Sequence, residues 1–240
     1  MKLSACITSL RGVLFVGGLA IASVAMLPAA DLIVNGTGSL IVRGNATVNG
    51  GDLTVKSGGI ANLDTPGVLN ADTAQVQSGG FLFGCGTLNA TLDNDGTVEA
   101  DCGSAVTFTI AGTVTNDGKF RVLSNTTLNT TGIFTNNGFL SLFNAAPGSL
   151  PSNFVDNGNL GLPANARIKT VSIGGSDFTL TIDSASGFIY QAVASTTLQQ
   201  GSWLEVGTPQ VGTGSTLTFL LSGEAVDRAN FFRFDILECE

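Results

Sequence analysis

Asp95 and Asp117 recur in matching motifs, each followed by Gly, and Lys119 lies just past the second. Carboxylates clustered beside a cation are what polysaccharide lyases and hydrolases use, often with calcium held between the oxygens. The two downstream copies of the same motif carry Asn137 and Asn157 where further carboxylates would be wanted. That substitution weighs against a catalytic or metal-binding row, so the sequence reads as non-enzymatic, with no catalytic residue, metal or cofactor assigned. Glu99 and Arg121 share the spacing of Asp95 and Asp117 and read as a cross-repeat ion pair, worth little at a surface. Trp203, the chain's single Trp, offers a ring on which a sugar could stack; its plainer reading is the core aromatic of a β domain. Asp95, Asp117, Lys119 and Trp203 are therefore the candidate residues of a ligand-binding face.

Composition removes most other chemistry. There is no His among the 240 residues, which excludes Ser-His-Asp triads, Cys-His pairs and His-ligated zinc. A net charge of -8, with 10 basic residues and none of them clustered, excludes a nucleic-acid partner. No Walker loop, G-x-S-x-G elbow or Cys-x-x-Cys is present. The calcium-binding nonapeptide is missing too, since Ser57-Gly-Gly59 and Ser78-Gly-Gly80 lead into apolar residues and read as corners.

The amino terminus reads as a signal peptide over residues 1–30. Lys2 and Arg11 precede the apolar run Val13 to Leu27, which ends on small residues at Pro28-Ala29-Ala30. That run is shorter than the roughly 20 residues a membrane-spanning helix needs, and no second apolar run of spanning length follows. The mature chain is expected to be exported, with no membrane span. Cys6 leaves with the signal, so Cys85, Cys102 and Cys239 remain. Cys102 falls in the small-residue column Gly36, Ser57, Ser78, Cys102, Ser124, Asn144. Cys85 comes near it only if the longest unit of the repeat loops out, so a Cys85–Cys102 bridge stays open, and Cys239 reads as free.

What must position the candidate residues is a repeat. Asn is frequent throughout 31–165, whereas Asn230 stands alone after it, a composition break that places a domain boundary at 165. Leu92-Asp-Asn-Asp-Gly96, Val114-Thr-Asn-Asp-Gly118, Phe134-Thr-Asn-Asn-Gly138 and Phe154-Val-Asp-Asn-Gly158 recur at nearly constant spacing. Two apolar columns follow the turns: Leu32, Leu53, Ala74, Val98, Phe120, Leu140, Leu160, and Val34, Val55, Val76, Ala100, Val122, Leu142, Leu162. A third, Val68, Leu92, Val114, Phe134, Phe154, precedes them. Apolar positions two apart are strand periodicity, and strands repeated at a fixed period bury their apolar faces by stacking. The fold class is therefore all-β: a parallel β-solenoid over 31–165 of about six to seven rungs, with units too long and variable for hexapeptide coils and hence expected to be right-handed. Gly at the Asn-Gly and Asp-Gly corners is expected to supply positive φ, and stacked Asn side chains to hydrogen-bond between rungs.

Residues 166–240 change pattern. Phe178 to Ile182, Phe188 to Ala194, Trp203 to Val206, Thr216 to Leu221 and Phe231 to Ile236 read as short strands of an antiparallel β-sandwich, immunoglobulin- or fibronectin-like in shape. Tyr190-Gln-Ala-Val-Ala-Ser-Thr-Thr-Leu198, Trp203, Val206-Gly207, Gly212-Thr-Gly214, Leu217-Thr-Phe219 and Phe231-Phe-Arg233 resemble the module that closes many exported bacterial β-solenoid proteins. The repeats are likewise similar to autotransporter-passenger-like proteins, although Phe232 replaces that module's usual Tyr and no translocating barrel is expected, so autotransport itself is not implied. The resemblance implies a secreted or cell-surface structural or adhesive protein, the solenoid a stiff spacer and the sandwich a cap or attachment module, with an extracellular glycan or protein as partner. The alternative is a secreted carbohydrate-binding protein that uses a solenoid face or Trp203.

Overall fold

The structure, a computed structural model, describes residues 30–103, 106–199, 201–224 and 231–239. The expected signal peptide lies outside the described residues. Short strands dominate, each with one or two inward apolar side chains. Such strands cannot hold a sheet alone, and they pair in parallel with the equivalent strand one coil away. The result is a parallel β-solenoid of about six turns followed by antiparallel sheets.

Each coil has three faces. On the first, Leu32, Leu53, Ala74, Leu92, Val114, Phe134 and Phe154 stand in register. On the second, Leu40, Ala61, Leu82, Val98 and Phe120 do so. On the third, Val48, Leu69, Leu88 and Ile110 line up. From Leu53 to Phe134 on the first face, and from Ala61 and Leu69 onward on the others, these side chains are all but fully buried. At roughly 25 cal/mol per Å², continuous apolar stacks are the main stabilising term of the fold.

The register corrects two of the expected columns. Ala74 stacks on Leu92, not Val98, and Val76 on Asn94, not Ala100. The columns drawn from the sequence start on the first face and cross to the second where the spacing lengthens. The third column fails at Val68, which belongs to the third face opposite Thr47 and Thr87. The coil at that point is short, since Leu82 already pairs with Val98. Val68–Val76 and Thr87–Asn94 each run through a corner without interruption, with the register slipping between Asn70 and Thr73. This short coil also decides the cysteines. Phe83 pairs with Glu99, so Cys85 and Cys102 leave neighbouring strands together and form a disulfide with Cα atoms 5.5 Å apart. Cys102 therefore does not share a column with Ser78, and no looped-out unit is needed. Cys239 is free.

The corner glycines divide into two kinds. Gly58 and Gly79 have φ of +76°, as expected of a corner. Gly96, Gly118 and Gly138, in the Asp-Gly and Asn-Gly motifs, do not have positive φ. They are glycine because the coils touch there. A Cβ on Gly118 would run into the Gly96 carbonyl, and one on Gly138 into that of Gly118. Close backbone approach, not left-handed conformation, is the reason for these residues.

The chain divides into two compact units. One holds the described residues up to Gly138 with Ala145–Asn157; the other holds Phe139–Asn144 and Gly158 onward, so residue 165 lies inside the second. In the second unit, Phe139–Ser141 pairs in parallel with Asn159–Gly161. A single 3-10 turn, Pro163–Ala166, precedes the antiparallel strands. Asp177–Asp183 lies between Ile168–Gly174 and Thr216–Leu221. Phe188–Ser195 pairs along its whole length with Phe231–Glu238, and with the short strands Leu204–Glu205 and Gln210–Val211. Leu180, Ile182, Phe188, Tyr190, Leu217, Phe219, Leu221 and Phe234 from both sheets form one core. The buried Tyr190 hydroxyl accepts a hydrogen bond from the Ala185 amide at 2.8 Å, which satisfies its polar end. Four of the five expected strands coincide closely with observed ones; at the fifth, only Leu204–Glu205 forms.

Candidate functional site

The Asn-Asp-Gly motif builds two parallel ladders, one inside the wall and one outside. Asn94, Asn116 and Asn136 are buried. Their side-chain amides run coil to coil: Asn94 Nδ2 donates to Asn116 Oδ1 at 2.6 Å, Asn116 to Asn136 at 2.7 Å, and Asn136 to the Asp156 carboxylate at 2.8 Å. A polar side chain inside an apolar stack costs about 2 to 4 kcal/mol if unpaired, and the ladder removes that cost by repetition. The residue that follows each buried Asn turns to solvent. Asp117 accepts from Asn137 Nδ2 at 2.9 Å, and Asn137 Oδ1 accepts from Asn157 at 3.0 Å. A further ladder on another corner runs from Asn89 through Asn70 to Asn49, each step 2.6 Å.

Asp95 and Asp117 occupy equivalent turns on successive coils, as the repeat predicts, and Asp93 joins them. One carboxylate oxygen from each of the three lies within 4.8 Å of the others, and all three residues are exposed. Desolvation first, then the charges of Asp95 and Asp117, push the Asp93 carboxyl above its ordinary pKa. Asp93 escaped the sequence reading because it sits inside a strand, opposite Thr115 and Gln75, where the later motif copies have Thr or Val. Its even spacing from Asp95, which puts both on the solvent side of the strand, was the signal available. Lys119 lies on the following strand opposite Thr97, half-buried, and its carbonyl accepts from Asn94 Nδ2 at 3.0 Å. Glu99 and Arg121 pair across adjacent strands at 3.3 Å, as expected. Three exposed carboxylates offer oxygens suited to a hard cation.

Trp203 is in the second unit and does not belong to its core, where Phe188, Tyr190 and Phe219 fill the central positions. The core-aromatic reading is thereby corrected. Trp203 is half-buried beside the short strand Leu204–Glu205, and the Arg233 guanidinium lies over its ring, 4.5 Å from the centroid. Arg233 Nε also reaches Asp235 Oδ1 at 3.1 Å. Leu198, Gly201, Trp203, Arg233 and Asp235 line a shallow pocket. Arg233 and Asp235 were not singled out from the sequence. Only pairing of their strand with Phe188–Ser195 brings them beside Trp203.

Comparison with protein-family models, with curated proteins and with solved structures gives no match. Among the described residues no helix is long and apolar enough to cross a membrane.

Proposed function

We propose that the chain is a non-enzymatic secreted or cell-surface structural protein of the autotransporter-passenger-like kind, its solenoid a stiff spacer and its C-terminal sheets a cap or attachment module. The observation that carries this reading is the continuity of the ladders. Apolar stacks and the Asn94–Asn116–Asn136–Asp156 chain run through successive coils without a gap, so the wall is built for stiffness. The carboxylates of Asp93, Asp95 and Asp117 stand on an open surface, which suits solubility and not turnover. A segment of signal-peptide layout supports export. Immunolabelling of intact producing cells, and of their medium, is expected to detect the solenoid; protein confined to the cytoplasm of cells that open only on lysis would overturn the proposal.

The second reading, carbohydrate binding, rests on Trp203 with Arg233 and Asp235 around a shallow surface pocket. A glycan array separates the two. Reproducible binding that disappears in Trp203→Ala supports the lectin-like reading, whereas a blank array, or binding indifferent to Trp203→Ala, supports the spacer.

A further inference from the structure

The strand Ile168–Gly174 is an open sheet edge. Among the described residues it pairs on one side only, with Asp177–Asp183, and Lys169 to Gly174 are exposed throughout. Val171 stands opposite Leu180 and Ile173 opposite Phe178. Residues directly opposite in an antiparallel pair share a face of the sheet. Leu180 is fully buried in the core, so Val171 and Ile173 are on the core-facing side as well, yet they are 55% and 65% exposed. The second sheet does not extend over them.

Natural edge strands are protected by proline, charge, shortness or a bulge. This one has seven residues and no proline. Its single charge, Lys169, is engaged by both oxygens of Asp183 at 2.8 and 2.9 Å. The bulge lies at its start, between Ile168 and Thr170, and leaves Thr170 to Gly174 regular. We propose that this strand pairs antiparallel with the same strand of a second copy, joining the two three-stranded sheets across a two-fold axis.

The sequence of the strand is its own complement. With the axis at Ser172, Val171 faces the partner's Ile173 and Ile173 faces the partner's Val171. Four apolar side chains then cover one another on the core-facing side. Thr170, Ser172 and Gly174, small or polar, fall on the other side, and Lys169 comes opposite the partner's Gly175, in the turn between its first two strands. An axis one residue earlier would set Ile173 against the partner's Lys169 and lose the apolar cluster. A strand from an unrelated protein would have to match this pattern by separate means; the second copy does so by symmetry. The inference is independent of where the chain works, so its failure leaves the spacer reading untouched.

Sedimentation of the chain as purified from producing cells, between about 1 µM and about 300 µM, covers the range of weak specific association. A concentration-dependent dimer is expected. The double variant Val171→Lys, Ile173→Lys changes only exposed side chains, so it should keep the parent circular dichroism and stay monomeric. In a Cys239→Ser background, Ser172→Cys lies on the two-fold axis and is expected to give a covalent dimer under mild oxidation, at least about tenfold faster than Thr170→Cys. A parent that stays monomeric throughout, a dimer that survives the double Lys variant, or equal cross-linking at 170 and 172 would each overturn the proposal.

Discussion

Asp93 shows how one side chain reports on its neighbours. Its carboxyl holds its proton more tightly in the folded chain than an ordinary Asp does, because of desolvation and the charges of Asp95 and Asp117. The folded state therefore binds more protons here than the unfolded one, and this site's contribution to stability falls as pH rises from the ordinary carboxylate pKa through the raised one. Above that window the ionised Asp93 is a net cost. Asp93→Asn is expected to raise the melting temperature at pH 7 by about 1 °C, a small effect because the site is largely solvated. The gain should vanish near pH 3, where the parent is protonated. Melting curves at the two pH values check this, and a variant that is less stable at pH 7 would show that the three carboxylates do not repel one another.

Between elements, the same motif serves two purposes according to which way alternation turns it. Asn116 receives a hydrogen bond from Asn94 and gives one to Asn136, all buried. Asn137 makes the corresponding bonds in water, to Asp117 and from Asn157. Asn116→Ala leaves the Asn94 amide and the Asn136 carbonyl without these partners in the wall, at a cost of about 2 to 4 kcal/mol. Asn137→Ala is expected to cost no more than about 0.5 kcal/mol. Chemical denaturation of both variants distinguishes the ladders, and equal losses would mean that the inner ladder is no drier than the outer. The corner glycines belong to this scale too. The motif repeats Gly because one coil's backbone lies on the next, a fact about the neighbour and not about the turn itself.

For the molecule as a whole, the composition break at residue 165 does not describe how the second unit is assembled. Phe139 and Phe143 lie 4.6 and 4.8 Å, ring to ring, from Phe188 at the centre of that unit's core. Both come well before the break, from within the Asn-rich repeats. A fragment of residues 166–240 leaves one side of Phe188 bare, whereas residues 139–240 retain both rings. The longer fragment is expected to melt cooperatively, and the shorter to melt at least about 5 °C lower or without a sharp transition. Calorimetry on the two fragments checks this; equal melting temperatures would show that the Phe139–Asn144 segment is not part of the unit.

The sequence by itself determined the fold class, the period, the motif turns at Asp95 and Asp117, the Glu99–Arg121 pair and four strands of the C-terminal sheets. Each of these follows from local alternation or from a fixed spacing, and neither depends on which face a strand joins. Tertiary structure alone decided the rest. Ala74 meets Leu92 and Cys85 meets Cys102 because one coil is shortened by running two strands straight through a corner, and no residue type announces a missing turn. The edge strand Ile168–Gly174 carries no clear signal, because a strand exposed on both faces has no buried side to impose a period. Trp203 reads as core by size, and only the sheet pairing shows that Phe188, Tyr190 and Phe219 had already filled the space.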